Sequence, residues 1–81
     1  MLERIKGQIV NTLVEHAKMA PADVKFELAI EEIGIKSVDA VYMCGVLEEE
    51  FGIEVDPALI FECETLDMFA HEISALVIAP R

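Results

Sequence analysis

The sequence predicts an all-α fold of four helices, with a long loop between the first two helices and a short third helix. Apolar residues recur at three- and four-residue steps in three of these segments, which is the spacing of a helix face. Residues that commonly start or stop helices stand at the ends of the segments. A chain of 81 residues is suited to one domain, so we expect residues 1–81 to form a single domain.

The first helix is predicted from Leu2 to about Lys18, and Pro21 lies just beyond it, where a proline commonly follows a helix. Its apolar stripe follows helical spacing and consists of Leu2, Ile5, Ile9, Leu13 and Ala17. His16 stands at the edge of this stripe, so we expect it to be a packing residue.

The next segment, residues 21–36, alternates apolar residues in a strand-like pattern at Phe26, Leu28 and Ile30. A single strand without a partner is not stable. We therefore expect a long ordered loop that places these apolar side chains on the helices. Loops of this length are uncommon and are often functional.

The second helix is predicted from Ser37 to Phe51. Ser37 is a favourable N-cap residue, and Asp39 in the first turn complements the positive end of the helix dipole. Gly52 supplies the left-handed conformation that commonly ends a helix.

The third helix is predicted to begin at Asp56-Pro57 and to run through about Phe61. Thr65 is predicted to cap the fourth helix, which extends to about Ile78 and is closed by Ala79-Pro80. The predicted apolar face of this last helix consists of Leu66, Phe69, Ile73, Leu76 and Val77. His71 falls on the opposite, polar face, where we expect it to be solvated.

The second helix carries apolar residues on two sides. Helical spacing groups a core face of Ala40, Met43, Cys44, Leu47 and Phe51. The other side holds Val38, Val41, Tyr42 and Gly45, bordered by Glu48 and Glu49. Either the preceding loop folds over this second patch and buries it, or the patch is a docking surface for a partner.

Composition restricts the class of protein. The chain has 16 acidic and 6 basic residues and a formal net charge of -10, which disfavours nucleic acid and favours partners with basic patches. There is no signal-peptide pattern, no apolar run of membrane-spanning length and no metal-ligand spacing. Cys44 and Cys63 form no CxxC motif and are expected to be reduced, so we expect a cytoplasmic protein. The surroundings of the two histidines give no reason to expect a serine-hydrolase triad.

Ser37 is the candidate functional residue. A phosphate ester on its hydroxyl would lie among unpaired backbone N–H groups at the positive end of the second helix, with Lys36 beside it. The alternative is that the serine is only a cap, which is the commoner role at this position.

The stretch "GIKSVDAVYMCGVLEEEFGIEVD", residues 34–56, closely resembles the central segment of acyl carrier proteins. The positions that match the family without a gap are Gly34, Ser37, Asp39, Val41, Leu47, Glu48, Glu49, Glu50, Phe51, Gly52 and Ile53. The resemblance implies a right-handed four-helix bundle in which Ser37 receives 4′-phosphopantetheine from coenzyme A through a phosphopantetheinyl transferase. The thiol of that arm would carry acyl groups as thioesters between enzymes of fatty-acid, polyketide or specialised lipid synthesis, and the protein itself would not be an enzyme.

The resemblance also implies a face of the second helix that partner enzymes bind. Acidic residues Asp39, Glu48 and Glu49 would attract basic partners, and the apolar contact would come from Val38, Val41, Tyr42 and Gly45. Lys36 stands where the family usually has aspartate, which favours a specialised carrier over a housekeeping one. We expect a monomer. Two alternatives stay open, namely an interaction module with unmodified Ser37 and an aminoacyl or D-alanyl carrier.

Overall fold

The computed structural model describes residues 1–78, which form a bundle of α-helices. In chain order the helices are α1 (Leu2–Glu15), α2 (Ile30–Ile33), α3 (Ser37–Phe51), α4 (Ala58–Glu62) and α5 (Leu66–Ile78). Residues 1–78 include no strand, so the all-α prediction is confirmed. The predicted helix end at Ala79-Pro80 lies outside the described residues.

The core lies where α1 packs against α3 and α5. Its fully buried large side chains include Ile5, Ile9, Leu13, Met43, Leu47, Leu66, Phe69 and Ile73. Burying a side chain of this size contributes roughly 1.5–3 kcal/mol each, so the three long helices hold the fold together. The predicted core face of α3 is confirmed, with Phe51 partly buried at its end. On α5, Leu76 is exposed, contrary to the prediction, and Ala70 is buried.

The start of α3 differs from the prediction in one respect. Lys36, with φ −90° and ψ 160°, is the residue that precedes the helix, and Ser37 is already its first helical residue. No side-chain hydrogen bond caps this helix. The prediction that Ser37 is the N-cap is therefore wrong, because the chain enters helical geometry at Ser37, one residue earlier than a serine cap requires.

The first helix ends at Glu15, three residues before its predicted end at about Lys18. The remaining predicted helix ends agree with the structure to within a residue or two. Gly52 ends α3 in the left-handed conformation, with φ 66°. Asp56 Oδ1 accepts a hydrogen bond from the Ala58 N–H at 2.9 Å, at the beginning of α4. Thr65 Oγ1 accepts one from the Met68 N–H at 3.1 Å, so Thr65 caps α5 as predicted.

The segment between α1 and α3 is an ordered loop that contains a short 3₁₀ turn, Pro21–Asp23, and the one-turn helix α2. Its side chains Val24, Ile30 and Ile35 are buried in the core. Its backbone is bonded to the start of α5: the Leu28 carbonyl accepts from the Leu66 N–H at 3.2 Å, and the Phe26 carbonyl accepts from the Asp67 N–H at 2.9 Å. Of the residues in the strand-like alternation, Ile30 is buried, Phe26 is partly buried against the core, and Leu28 is only partly buried.

Both cysteines are buried free thiols. Burial, reinforced by the nearby charges of Glu48 and Asp56, raises the pKa of Cys44 to about 11. Burial also raises the pKa of Cys63. Since the thiolate is the nucleophilic form, burial and the raised pKa values both disfavour reaction at these two thiols. No helix in the described part of the chain is long and apolar enough to cross a membrane.

Candidate functional site

Ser37 lies at the N-terminus of the longest helix and is exposed to solvent. Its hydroxyl makes no capping bond. The Ala40 N–H is bonded to the Lys36 carbonyl at 2.9 Å, so the N–H groups of residues 37–39 precede the intrahelical ladder. These N–H groups and the exposed Lys36 make the surroundings of the hydroxyl favourable to an anion.

The second apolar patch of α3 is exposed. Val38, Val41 and Tyr42 are 65%, 56% and 50% exposed, respectively. A shallow groove continues from this patch along the helix and is lined by Val41, Tyr42, Gly45, Val46, Glu48 and Glu49. The alternative that the preceding loop buries the patch is therefore wrong. We call Val38, Val41, Tyr42, Gly45 and Glu49 the outer face of α3. All of them are exposed except Gly45, which is partly exposed.

Of the three acidic residues predicted to attract partners, two are engaged inside the protein. The Asp39 side chain is only 13% exposed, and its Oδ1 lies 3.2 Å from His16 Nδ1 on α1. Glu48 Oε2 accepts a hydrogen bond from the Val55 N–H at 2.8 Å, which ties the segment after α3 back onto the helix. Glu49 is exposed, and none of the ion pairs formed within residues 1–78 uses its carboxylate.

His16, which was predicted only to be a packing residue, is a neighbour of the outer face of α3. Its ring is stacked on that of Tyr42, with centroids 3.9 Å apart and planes 10° apart. The signal that could have found this contact is weak: His16 follows the last turn of α1, and Tyr42 and Asp39 lie three residues apart on one side of α3.

A smaller exposed patch lies at α4. Phe61 is 50% exposed, and the groove beside it is lined by Ala29, Ile30, Glu31, Phe61, Glu62, Cys63 and Glu64. Like the outer face of α3, this patch combines an exposed apolar side chain with acidic residues at its border.

The described part of the chain shows no other candidate for a catalytic or metal site. It contains no group of residues that could hold a metal ion, and no hydrogen bond there joins Ser37 to a histidine.

Ser37 thus combines an exposed position at the start of the longest helix with a hydroxyl to which no histidine of residues 1–78 is hydrogen-bonded. The family model for the phosphopantetheine attachment site matches residues 7–73 of this chain. The chain therefore belongs to the phosphopantetheine-attachment family, whose members bind 4′-phosphopantetheine covalently and act as carriers. A search of curated proteins found no match.

The residues at the start of α3 fit this group. The hydroxyl is accessible, no capping bond engages it, and the anionic phosphate of the arm would meet backbone N–H groups and Lys36. The one carboxylate in the first turn, Asp39, contacts α1 instead.

Proposed function

We propose that the protein is an acyl carrier whose Ser37 holds the phosphopantetheine arm. The observation that carries this proposal is that Ser37 is exposed at the positive end of α3 and its hydroxyl makes no capping hydrogen bond. Ser37 also lies within the segment matched by the family model. When bound, the arm supplies a terminal thiol that holds acyl groups as thioesters. Both protein thiols are buried, so they do not compete with it for the acyl group.

In the attachment reaction, Ser37 Oγ forms an ester bond to the phosphorus next to pantetheine in coenzyme A. The bond from that phosphorus to the leaving 3′,5′-ADP breaks, and the serine proton passes to a base on the transferase. The carrier contributes position and charge. The N–H groups at the start of α3 and the Lys36 ammonium stabilise the phosphodiester that remains on the serine.

The outer face of α3 is the proposed docking surface for the phosphopantetheinyl transferase and then for acyl-handling enzymes. Its apolar residues adjoin Ser37 in the sequence, and Glu49 adds an exposed negative charge. The net charge of -10 attracts basic partners from a distance. At the contact itself, Lys36 favours a neutral or acidic residue on the partner. Because the family usually has aspartate at this position, we propose a specialised pathway of lipid or polyketide synthesis.

We further propose that residues 1–81 are one carrier domain that acts as a monomer in the cytoplasm. There the buried thiols of Cys44 and Cys63 would stay reduced.

Intact-mass analysis tests the attachment. The full chain, incubated with coenzyme A and a phosphopantetheinyl transferase of broad specificity, should gain the mass of one phosphopantetheine. The variant Ser37→Ala should gain nothing. Ser74→Ala is the matched control, because Ser74 is the other serine of the chain and lies within α5. A gain that persists in Ser37→Ala, or its absence in the folded native chain with several transferases, would overturn the proposal.

A second measurement separates acyl carriers from aminoacyl carriers. The modified protein is offered acyl and aminoacyl donors with their matching ligases, and the loaded mass is read directly. Loading with fatty acyl or malonyl groups supports the proposal, whereas loading only with amino acids would correct it.

A further inference from the structure

Three side chains join the end of α1 to the first turns of α3. His16 follows the last residue of α1 and caps that helix, with its N–H bonded to the Thr12 carbonyl at 2.8 Å. Its ring lies flat against Tyr42, at a centroid distance of 3.9 Å, while its Nδ1 lies 3.2 Å from Asp39 Oδ1. One imidazole thus contacts two residues of α3 that lie within five positions of Ser37.

We propose that His16 is a positioning residue for partner docking. By stacking, it holds the Tyr42 ring in one orientation on the outer face of α3, and by its hydrogen bond it keeps the Asp39 carboxylate turned toward α1. The inference rests on the proposed function, since it assumes that the transferase and later partners bind this face.

The stacking matters because Tyr42 is half exposed. A surface side chain without a neighbour samples several rotamers, and a partner that fixes it must overcome that lost entropy. A ring already held against an imidazole has lost most of this freedom before the partner arrives. Tyrosine offers a large rigid contact, and such residues often dominate interfaces.

The hydrogen bond to Asp39 also shapes the outer face. If that carboxylate turned outward, it would stand two residues from Ser37, where it would repel the phosphate of the arm and disfavour apolar contact. Its exposure of only 13% shows that α1 covers it instead. The partner therefore meets an apolar surface of Val38, Val41 and the Tyr42 ring. We infer that the partner presents an apolar recess for the ring rather than a basic residue for Asp39.

Steady-state kinetics of the transferase with the full-length apo chain test this role. His16→Ala should raise KM for the carrier roughly fivefold or more, the effect expected of an interface residue worth more than 1 kcal/mol, with kcat unchanged. His16→Phe keeps a ring for stacking and should restore most of the native KM. His16→Gln keeps only a hydrogen bond and should not. His71→Ala, on the polar face of α5, is the control and should leave KM unchanged.

The state of the stack can be measured independently. Tyr42 is the only tyrosine and the chain has no tryptophan, so near-ultraviolet circular dichroism and fluorescence report this ring with little interference. The signal should change in His16→Ala and return toward native in His16→Phe. In a Tyr42→Ala background, His16→Ala should have little further effect on KM, because the two residues act as a pair.

Three results would overturn the inference: an unchanged KM in His16→Ala, rescue by glutamine but not by phenylalanine, or full additivity with Tyr42→Ala. If His16→Ala fails to fold, the comparison of the phenylalanine and glutamine variants decides in the same way. Failure of the proposed function would be distinguishable, since the native chain itself would then gain no phosphopantetheine.

Discussion

The two apolar faces of α3 are similar in composition and opposite in environment. Ala40, Met43 and Leu47 on one face are completely buried, and α3 packs against α1. Val38 and Val41 on the other face are more than half exposed. The difference shows that the burial of a helix face depends on which elements pack against that face, and not on how hydrophobic the face is. An apolar face that the chain itself leaves uncovered requires another explanation, and docking supplies one.

The largest effect expected from this comparison concerns stability. Leu47→Ala should lower the free energy of unfolding by about 2–5 kcal/mol, because it leaves a cavity in the core. Val41→Ala on the outer face should change it by no more than about 0.5 kcal/mol. Urea unfolding followed by far-ultraviolet circular dichroism measures both. If the two losses were equal, Val41 would be a core residue and the outer face would not exist as described.

A smaller effect separates two adjacent glutamates. Glu48→Ala should cost about 1–3 kcal/mol in unfolding free energy, since it removes the acceptor for the Val55 N–H. Glu49→Ala should leave stability nearly unchanged but weaken transferase binding at low salt, where surface charge attracts partners most. The pair is informative because both residues were expected to attract partners. A Glu49→Ala variant that is as unstable as Glu48→Ala would contradict this division of roles.

The smallest effect tests whether a partner closely approaches the backbone at Gly45. A methyl group added at Gly45 or at Gly7 meets no atom within 4 Å, so either Gly→Ala change should stabilise its helix by about 0.5–1 kcal/mol. Only Gly45→Ala, on the outer face, should raise KM for the transferase. Gly7→Ala on α1 is the matched control. Equal KM values for both variants would remove Gly45 from the docking surface.

The core of the fold was predictable from the sequence because it depends on local spacing. The core face of α3 and the stripe of Ile5, Ile9 and Leu13 follow from helical periodicity alone. Leu76 was wrongly placed in the core because it lies at the edge of the apolar face, whereas Val77, one residue further along α5, is partly buried against the core. The one-turn helix α2 was missed because four residues are too few to show a period.

Ser37 could be proposed as the attachment site from the sequence alone, because the segment resembling acyl carrier proteins is continuous around it. The contacts of Asp39, Glu48 and His16 were not predictable. These contacts join residues that are 7, 23 or 26 positions apart, and a carboxylate engaged in such a contact has the same sequence signature as an exposed one. Distinguishing surface charge from structural charge therefore required the positions of α1 and of the segment after α3.

Two backbone hydrogen bonds link the loop that precedes α3 to the start of α5. The carbonyls of Phe26 and Leu28 satisfy N–H groups that would otherwise be unpaired at the start of α5. The segment leading into Ser37 is consequently anchored by residues about thirty positions downstream of it. A shortened carrier that ends before Thr65 would retain the serine and all of α3, yet would lose the support that holds the approach to that serine in place.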